Sequence, residues 1–184
     1  TGTNGKSTTT ALIHHILDHA GRAALLGGNI GLPILGQSPL PAGGVYVLEL
    51  SSYQLELTFS LDCDVAVLLN ITPDHLDRHG SLANYAAAKA RLFAMQSPGR
   101  TAIVGGQAEA EFDVLEDAEE PFIQFIEDVN AGNQAAWPAL QGPHNLQNAR
   151  AAVAACAALG LTPNQIAAGL ASYPGLPHRM ERVA

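Results

Sequence analysis

Thr1-Gly2-Thr3-Asn4-Gly5-Lys6-Ser7-Thr8 is the stretch that decides how this chain is read. It matches the distal part of G-x-x-x-x-G-K-[ST], in which glycines let successive backbone N–H groups turn toward an anion. A helix follows at once: Leu12, Ile13, Ile16, Leu17 and Ala20 recur at three- and four-residue spacing, and Gly21 supplies a C-cap. The helix N-terminus adds positive potential beside the loop. Lys6 has the reach for β- and γ-phosphates, and Ser7 or Thr8 carries the hydroxyl that such loops place on Mg2+. A glycine turn that merely starts a helix is the bland alternative, and it leaves Gly-Lys-Ser-Thr unexplained. The motif's first glycine falls one residue before Thr1, so the strand that should anchor the loop is expected to be missing, which would leave the loop poorly held.

Outward from the loop, strands alternate with helices. Ala23–Leu26, Val45–Glu49, Val65–Leu69, Thr101–Val104 and Pro121–Ile126 read as strands. Ser81–Met95 and the segment from Asn145 to Gly160 read as helices, and Thr162-Pro163-Asn164-Gln165 as a capping box opening a last one. This pattern predicts an α/β fold of the P-loop type, a mostly parallel sheet flanked by helices. Gln107–Gly142 is weaker and more acidic, and Glu116–Glu120 reads as a solvated loop.

The chain has 184 residues, enough for one substantial core. Its formal net charge of −8 argues against a nucleic-acid partner. That charge also requires an anionic ligand to be held locally, by a helix N-terminus, a lysine and metal ions. No apolar run approaches a membrane span, and a cytoplasmic protein is expected. The two cysteines, Cys63 and Cys156, sit apart in apolar surroundings and read as small buried hydrophobes.

Two polar features follow strands, where open α/β sheets place ligands. Glu49 can share Mg2+ with Ser7 or Thr8, or simply face solvent. Asp74-His75-Leu76-Asp77-Arg78-His79 is the densest polar cluster. It reads either as site residues or as a helix N-terminus with Thr72 as cap and Pro73 at the first position. Zinc on His75 and His79 is disfavoured, because no third soft ligand is evident. His14 and His15 read as helix-surface residues. Asn145 and Asn148 face one way at a helix start, either to read a base edge or to cap.

Taken together, these stretches resemble the central domain of the Mur ligase family. The resemblance rests on T-G-T-N-G-K-S-T at 1–8, G-N-I-G at 28–31, E-L-S-S-Y-Q-L-E at 49–56 and N-I-T-P-D-H-L-D-R-H at 70–79. It continues through Y-A-A-A-K-A-R-L-F at 85–93, G-P-H-N-L-Q-N-A at 142–149 and L-P-H-R-M-E at 176–181. It implies that residues 1–184 form the central ATP-binding domain, with N-terminal UDP-binding and C-terminal domains absent and no activity expected of the piece alone. The family's antiparallel hairpin is expected as a small, trimmed appendage within 121–141. Residues 105–109 also depart from the family pattern.

The G-N-I-G-L-P and L-S-S-Y-Q-L-E stretches are similar to the member that adds D-glutamate to UDP-N-acetylmuramoyl-L-alanine, in peptidoglycan precursor synthesis. The implied mechanism passes through an acyl phosphate, with ATP, that nucleotide and D-glutamate as ligands, two Mg2+ ions and a monomeric enzyme. Residue by residue, it implies that Gly2, Thr3, Asn4, Gly5, Lys6, Ser7 and Thr8 hold phosphate and that Asn145, Asn148 and Arg179 contact the nucleotide. Ser7, Thr8, Glu49, His75 and Lys89 serve metal, with Lys89 carbamylated, and Asn29, Ser51 and His75 meet the muramoyl substrate; Lys6, His75 and Lys89 are the catalytic set. Without the resemblance, Lys89 reads as a lysine on the exposed face of the 81–95 helix. Three alternatives stay open: a Mur or folylpolyglutamate-type ligase for another amino acid, a P-loop ATPase or switch, and a nucleotide-binding piece without activity.

Overall fold

The computed structural model describes residues 1–105 and 122–176. The chain divides into two compact units, Thr1–Lys6 with Leu50–Val129 and Ser7–Glu49 with Asn130–Ala184. Helix α1, Lys6–His19, begins at the last residue of the first stretch and continues into the second unit.

In the first unit, β3 (Val65–Leu68), β4 (Thr101–Val104) and β5 (Phe122–Phe125) form a parallel sheet in that order. The short, apolar β3 and β4 suit a buried parallel ladder, and β5 forms its more exposed edge. Helices α2 (Ser52–Glu56), α3 (Leu76–His79) and α4 (Leu82–Ala94) belong to the same unit. Leu55, Leu68, Tyr85, Leu92, Phe93 and Val104 are buried members of one apolar cluster.

The second unit carries β1 (Ala24–Gly28) paired in parallel with β2 (Val45–Glu49), and Gly28 stands opposite Glu49. Its helices are most of α1, α5 (Pro143–Ala158) and α6 (Pro163–Ser172). A Cβ on Gly169 would lie 2.9 Å from a side-chain carbon of Ile16, so the missing side chain is what lets α6 approach α1. Thr162 and Gln165 form the expected capping box of α6.

Several expectations are corrected. The parallel α/β architecture itself stands, with the described strands in two ladders, one in each unit, and no antiparallel pair among the described residues. Helix α5 starts at Pro143, two residues early, because proline suits a first helical turn. Thr72-Pro73 opens no helix: α3 begins at Leu76 behind His75, and the Thr72 backbone is held by Thr3 Oγ1 instead.

The loop is anchored, against the expectation of a poorly held one. The Thr1 nitrogen donates to Val67 O at 2.8 Å, Leu69 N to Thr1 O at 3.1 Å, and Thr3 N to Asn70 O at 3.0 Å. The two bonds of Thr1 are those of a parallel pairing with β3, and the bond of Thr3, one residue out of that register, marks where the chain turns away into the loop.

Residues 106–121 and 177–184, including the Glu116–Glu120 loop, the start of the Pro121 strand and most of the 105–109 departure, lie outside the described residues. No helix among the described residues is long and apolar enough to cross a membrane.

Candidate functional site

The phosphate loop turns at two positive-φ glycines, Gly2 (φ 151) and Gly5 (φ 82). A Cβ on Gly2 would lie 3.0 Å from Leu69 Cβ, so only glycine lets the loop run this close to the end of β3. Asn70 clamps the loop, accepting from Asn4 N at 2.8 Å through Oδ1 and donating to Asn4 O at 3.1 Å through Nδ2. Thr3 Oγ1 joins it to Tyr85 OH at 3.3 Å. Lys6 Nζ donates to Gly2 O and Thr3 O at 3.0 and 2.9 Å.

Lys89 reaches the same loop: its Nζ donates to Gly2 O at 3.1 Å and lies 4.4 Å from the centroid of the Tyr85 ring. The side chain is 1% exposed, which overturns its placement on an outward helix face. Tyr85, Lys89 and Phe93 follow one another at four-residue intervals along α4 and are all buried. Burial pulls the Lys89 amine down to about 8; the Lys6 ammonium adds to the effect and Asp74 opposes it. Two ammonium groups on one carbonyl make this corner strongly electropositive, as an anion site requires.

His75 caps α3 in the left-handed region (φ 50), the sole non-glycine with positive φ among the described residues. Such strain clusters at functional sites. Asp74 Oδ1 accepts from His75 N at 2.9 Å, and Asp74 Oδ2 lies 3.5 Å from His75 Nε2. Tyr53 OH is 3.2 Å from the other ring nitrogen, Nδ1. His79, whose side chain is 1% exposed, engages Glu56 Oε1 through Nδ1 at 3.2 Å and Ser52 Oγ through Nε2 at 3.1 Å.

In the second unit Glu49 ends β2 and is 2% exposed. Asn29 holds it twice, with N donating to Glu49 O at 2.8 Å and Nδ2 to Oε1 at 3.2 Å. The opposite oxygen, Oε2, is buried with no hydrogen-bond partner. A carboxylate oxygen so placed is costly unless a cation meets it, and the hard oxygen donor fits Mg2+. A Cβ on Gly28 would come within 2.1 Å of Glu49 O, which explains the glycine of the Gly-Asn-Ile-Gly loop.

Asn148 is buried, accepts from Thr9 Oγ1 at 3.2 Å and donates to Asn145 Oδ1 at 3.3 Å, while Asn145 donates to Gln141 O at 3.1 Å. The pair shares one face, as its spacing requires, and Gly142 is the cap of α5. Ser51 caps α2 in a full capping box with Gln54. His15 rests on Ser172 Oγ at 2.9 Å, and burial lowers its pKa. Ser7 and Thr8 are half-buried in the first turn of α1. Arg179 lies outside the described residues.

Sequence reasoning missed Asn70, Tyr53 and helix α2. The Ser51-Ser52-Tyr53-Gln54 spacing of a capping box was a sufficient signal for the helix. Nothing local marks Asn70 or Tyr53, whose partners are 66 and 22 residues away.

The Mur ligase middle-domain family model matches residues 1–139. The chain belongs to the Mur ligase middle-domain family. Over its whole length it is 57% identical to the UDP-N-acetylmuramoylalanine–D-glutamate ligase of Novosphingobium aromaticivorans and 55% identical to that of Zymomonas mobilis. It spans 42% of the length of each of these Mur ligases. A solved structure of MurF from Acinetobacter baumannii superposes on 98% of the chain and 46% of its own, with a TM-score of 0.76 at 23% identity. That likeness shows the Mur ligase α/β fold.

Proposed function

We propose that the whole protein is the ATP-dependent ligase that adds D-glutamate to UDP-N-acetylmuramoyl-L-alanine in peptidoglycan precursor synthesis. High identity to relatives of that name supports the substrates, and the buried, unpartnered Glu49 Oε2 is the observation that carries a metal–nucleotide site. The substrate carboxylate attacks the γ-phosphorus of ATP; the bond to the β-bridging oxygen breaks and ADP leaves. The D-glutamate amine then attacks the acyl carbon, the C–O bond to phosphate breaks, and the amine loses a proton as the amide forms.

Each residue has a part in this scheme. Gly2, Thr3, Asn4 and Gly5 shape the loop that would hold phosphate, with the Asn70 clamp fixing the Thr3 and Asn4 backbone, and Lys6 leaves its carbonyl partners to neutralise the transferring group. Ser7 or Thr8 with Glu49 would hold one Mg2+, and His75 with Lys89 a second. Bound Mg2+ supplies charge neutralisation on the phosphates. An ammonium cannot ligate a cation, so Lys89 serves as a carbamate: the free amine adds to CO2, forming an N–C bond and releasing a proton. Its depressed pKa raises the neutral fraction that this addition needs. Asn145, Asn148 and Arg179 would contact the nucleotide, and Asn29 and Ser51 the muramoyl end. The ligands are small molecules, and the enzyme acts as a cytoplasmic monomer.

The test is phosphate release by the complete protein. Release should require both UDP-N-acetylmuramoyl-L-alanine and D-glutamate. Equal release with L-lysine, meso-diaminopimelate or a folate with L-glutamate would move the assignment elsewhere in the family. Release without any acceptor would favour the ATPase reading.

A further inference from the structure

Tyr53 stands out because it is 38% exposed yet held on three sides. The buried His79 ring stacks on it at 5.8 Å between centroids and 10° between planes. The Arg78 guanidinium lies 5.7 Å from its centroid, and Arg78 is itself paired with Glu56 at 3.0 Å. His79 is fixed in turn by Ser52 and Glu56, one on each ring nitrogen. A half-exposed phenol restrained in this way delivers its hydroxyl to one place, 3.2 Å from His75 Nδ1.

We propose that Tyr53 is a positioning residue for His75, holding the imidazole by Nδ1 so that Nε2 stays on the Asp74 side, open to a divalent cation. The proposal rests on the ligase reading only for the identity of that cation. His75 needs such a restraint, since its side chain is 46% exposed and its backbone sits in the left-handed region. The 3.5 Å between Nε2 and Asp74 Oδ2 exceeds the roughly 2.7–2.9 Å of a charge-assisted hydrogen bond. A phenol both donates and accepts, so it keeps its hold on Nδ1 whichever nitrogen carries the proton. Metal-bound histidines depend on such a partner at the other nitrogen.

Tyr53→Phe keeps the ring and its stack but removes the hydroxyl; Tyr53→Leu removes both. In the 184-residue chain, long-range 1H–15N spectra should show the His75 Nδ1 resonance displaced in Tyr53→Phe, with His79 and the amide spectrum outside the cluster unchanged. In the complete ligase, Tyr53→Phe should raise the Mg2+ concentration for half-maximal rate by about 10- to 100-fold, with KM for D-glutamate unaltered. An unchanged His75 resonance in Tyr53→Phe overturns the proposal, even if Tyr53→Leu is damaging, because packing would then be the whole role. An unchanged Mg2+ requirement overturns it too. A complete wild-type protein without D-glutamate ligation would instead sink the functional reading, and the spectra would still decide for or against Tyr53.

Discussion

Lys89 and Glu49 are both almost fully buried charges, one in each unit, and they are served differently. Lys89 has a carbonyl to donate to and an aromatic face beside it. Glu49 has one oxygen held by Asn29 and the other left bare. The lysine site is complete without a ligand but costs the ammonium form; the carboxylate site leaves one buried oxygen without a partner. Both are positioned by glycine backbones, Gly2 for the lysine and Gly28 for the carboxylate.

The largest way to break this comparison is Gly28→Ala. Its Cβ would meet Glu49 O at 2.1 Å in a backbone with φ +90. Strain and overlap together should cost about 3 kcal/mol or more, read as a lower urea midpoint at unchanged slope. Wild-type stability in Gly28→Ala would mean that the loop yields and does not fix Glu49.

The pH dependence sharpens the lysine side. The folded-state pKa of Lys89 is depressed to about 8 from 10.5, so between those values the unfolded chain binds more protons. Stability therefore rises with pH across that window, by up to roughly 3 kcal/mol from this group. The rise should be absent in Lys89→Met, so the difference between the two proteins changes from pH 8 to 10.5. Parallel pH profiles of denaturant midpoints would contradict the desolvated ammonium.

Glu49→Gln probes the other side. Removing the carboxylate should abolish Mg2+-dependent turnover of the complete protein, while the metal-free chain keeps its stability because Oε2 has no hydrogen-bond partner to lose. A lower melting temperature for Glu49→Gln would show that Oε2 has a partner after all. The smallest effect belongs to Ser51→Ala, which should lose about 1 kcal/mol with its cap. A loss of turnover far beyond that would point to substrate contact by Ser51.

Much of this was legible in the sequence, for identifiable reasons. Glycine, lysine and hydroxyl spacing in Thr1–Thr8 encodes the loop, because each residue type has one local task there. The capping box at Thr162–Gln165 was equally local. Pairing into two sheets was not legible, since alternation of strands and helices says nothing about which strands share a ladder. The start of α3 was misplaced because Thr72-Pro73 looks like a helix opening, whereas Thr3, 69 residues away, claims the Thr72 backbone. Without the family resemblance Lys89 reads as exposed, because helical spacing alone does not say that a lysine on the apolar face will be kept there. Tyr53, Asn70 and the bare Glu49 oxygen are tertiary facts.

The central claim is that the γ-phosphoryl group passes to a substrate carboxylate. UDP-N-acetylmuramoyl-L-alanine labelled with 18O in that carboxylate tests it most directly in the complete protein. One labelled oxygen should appear in each phosphate released in the presence of D-glutamate. Phosphate carrying only solvent oxygen would mean that water attacks ATP, and it would contradict the ligase account.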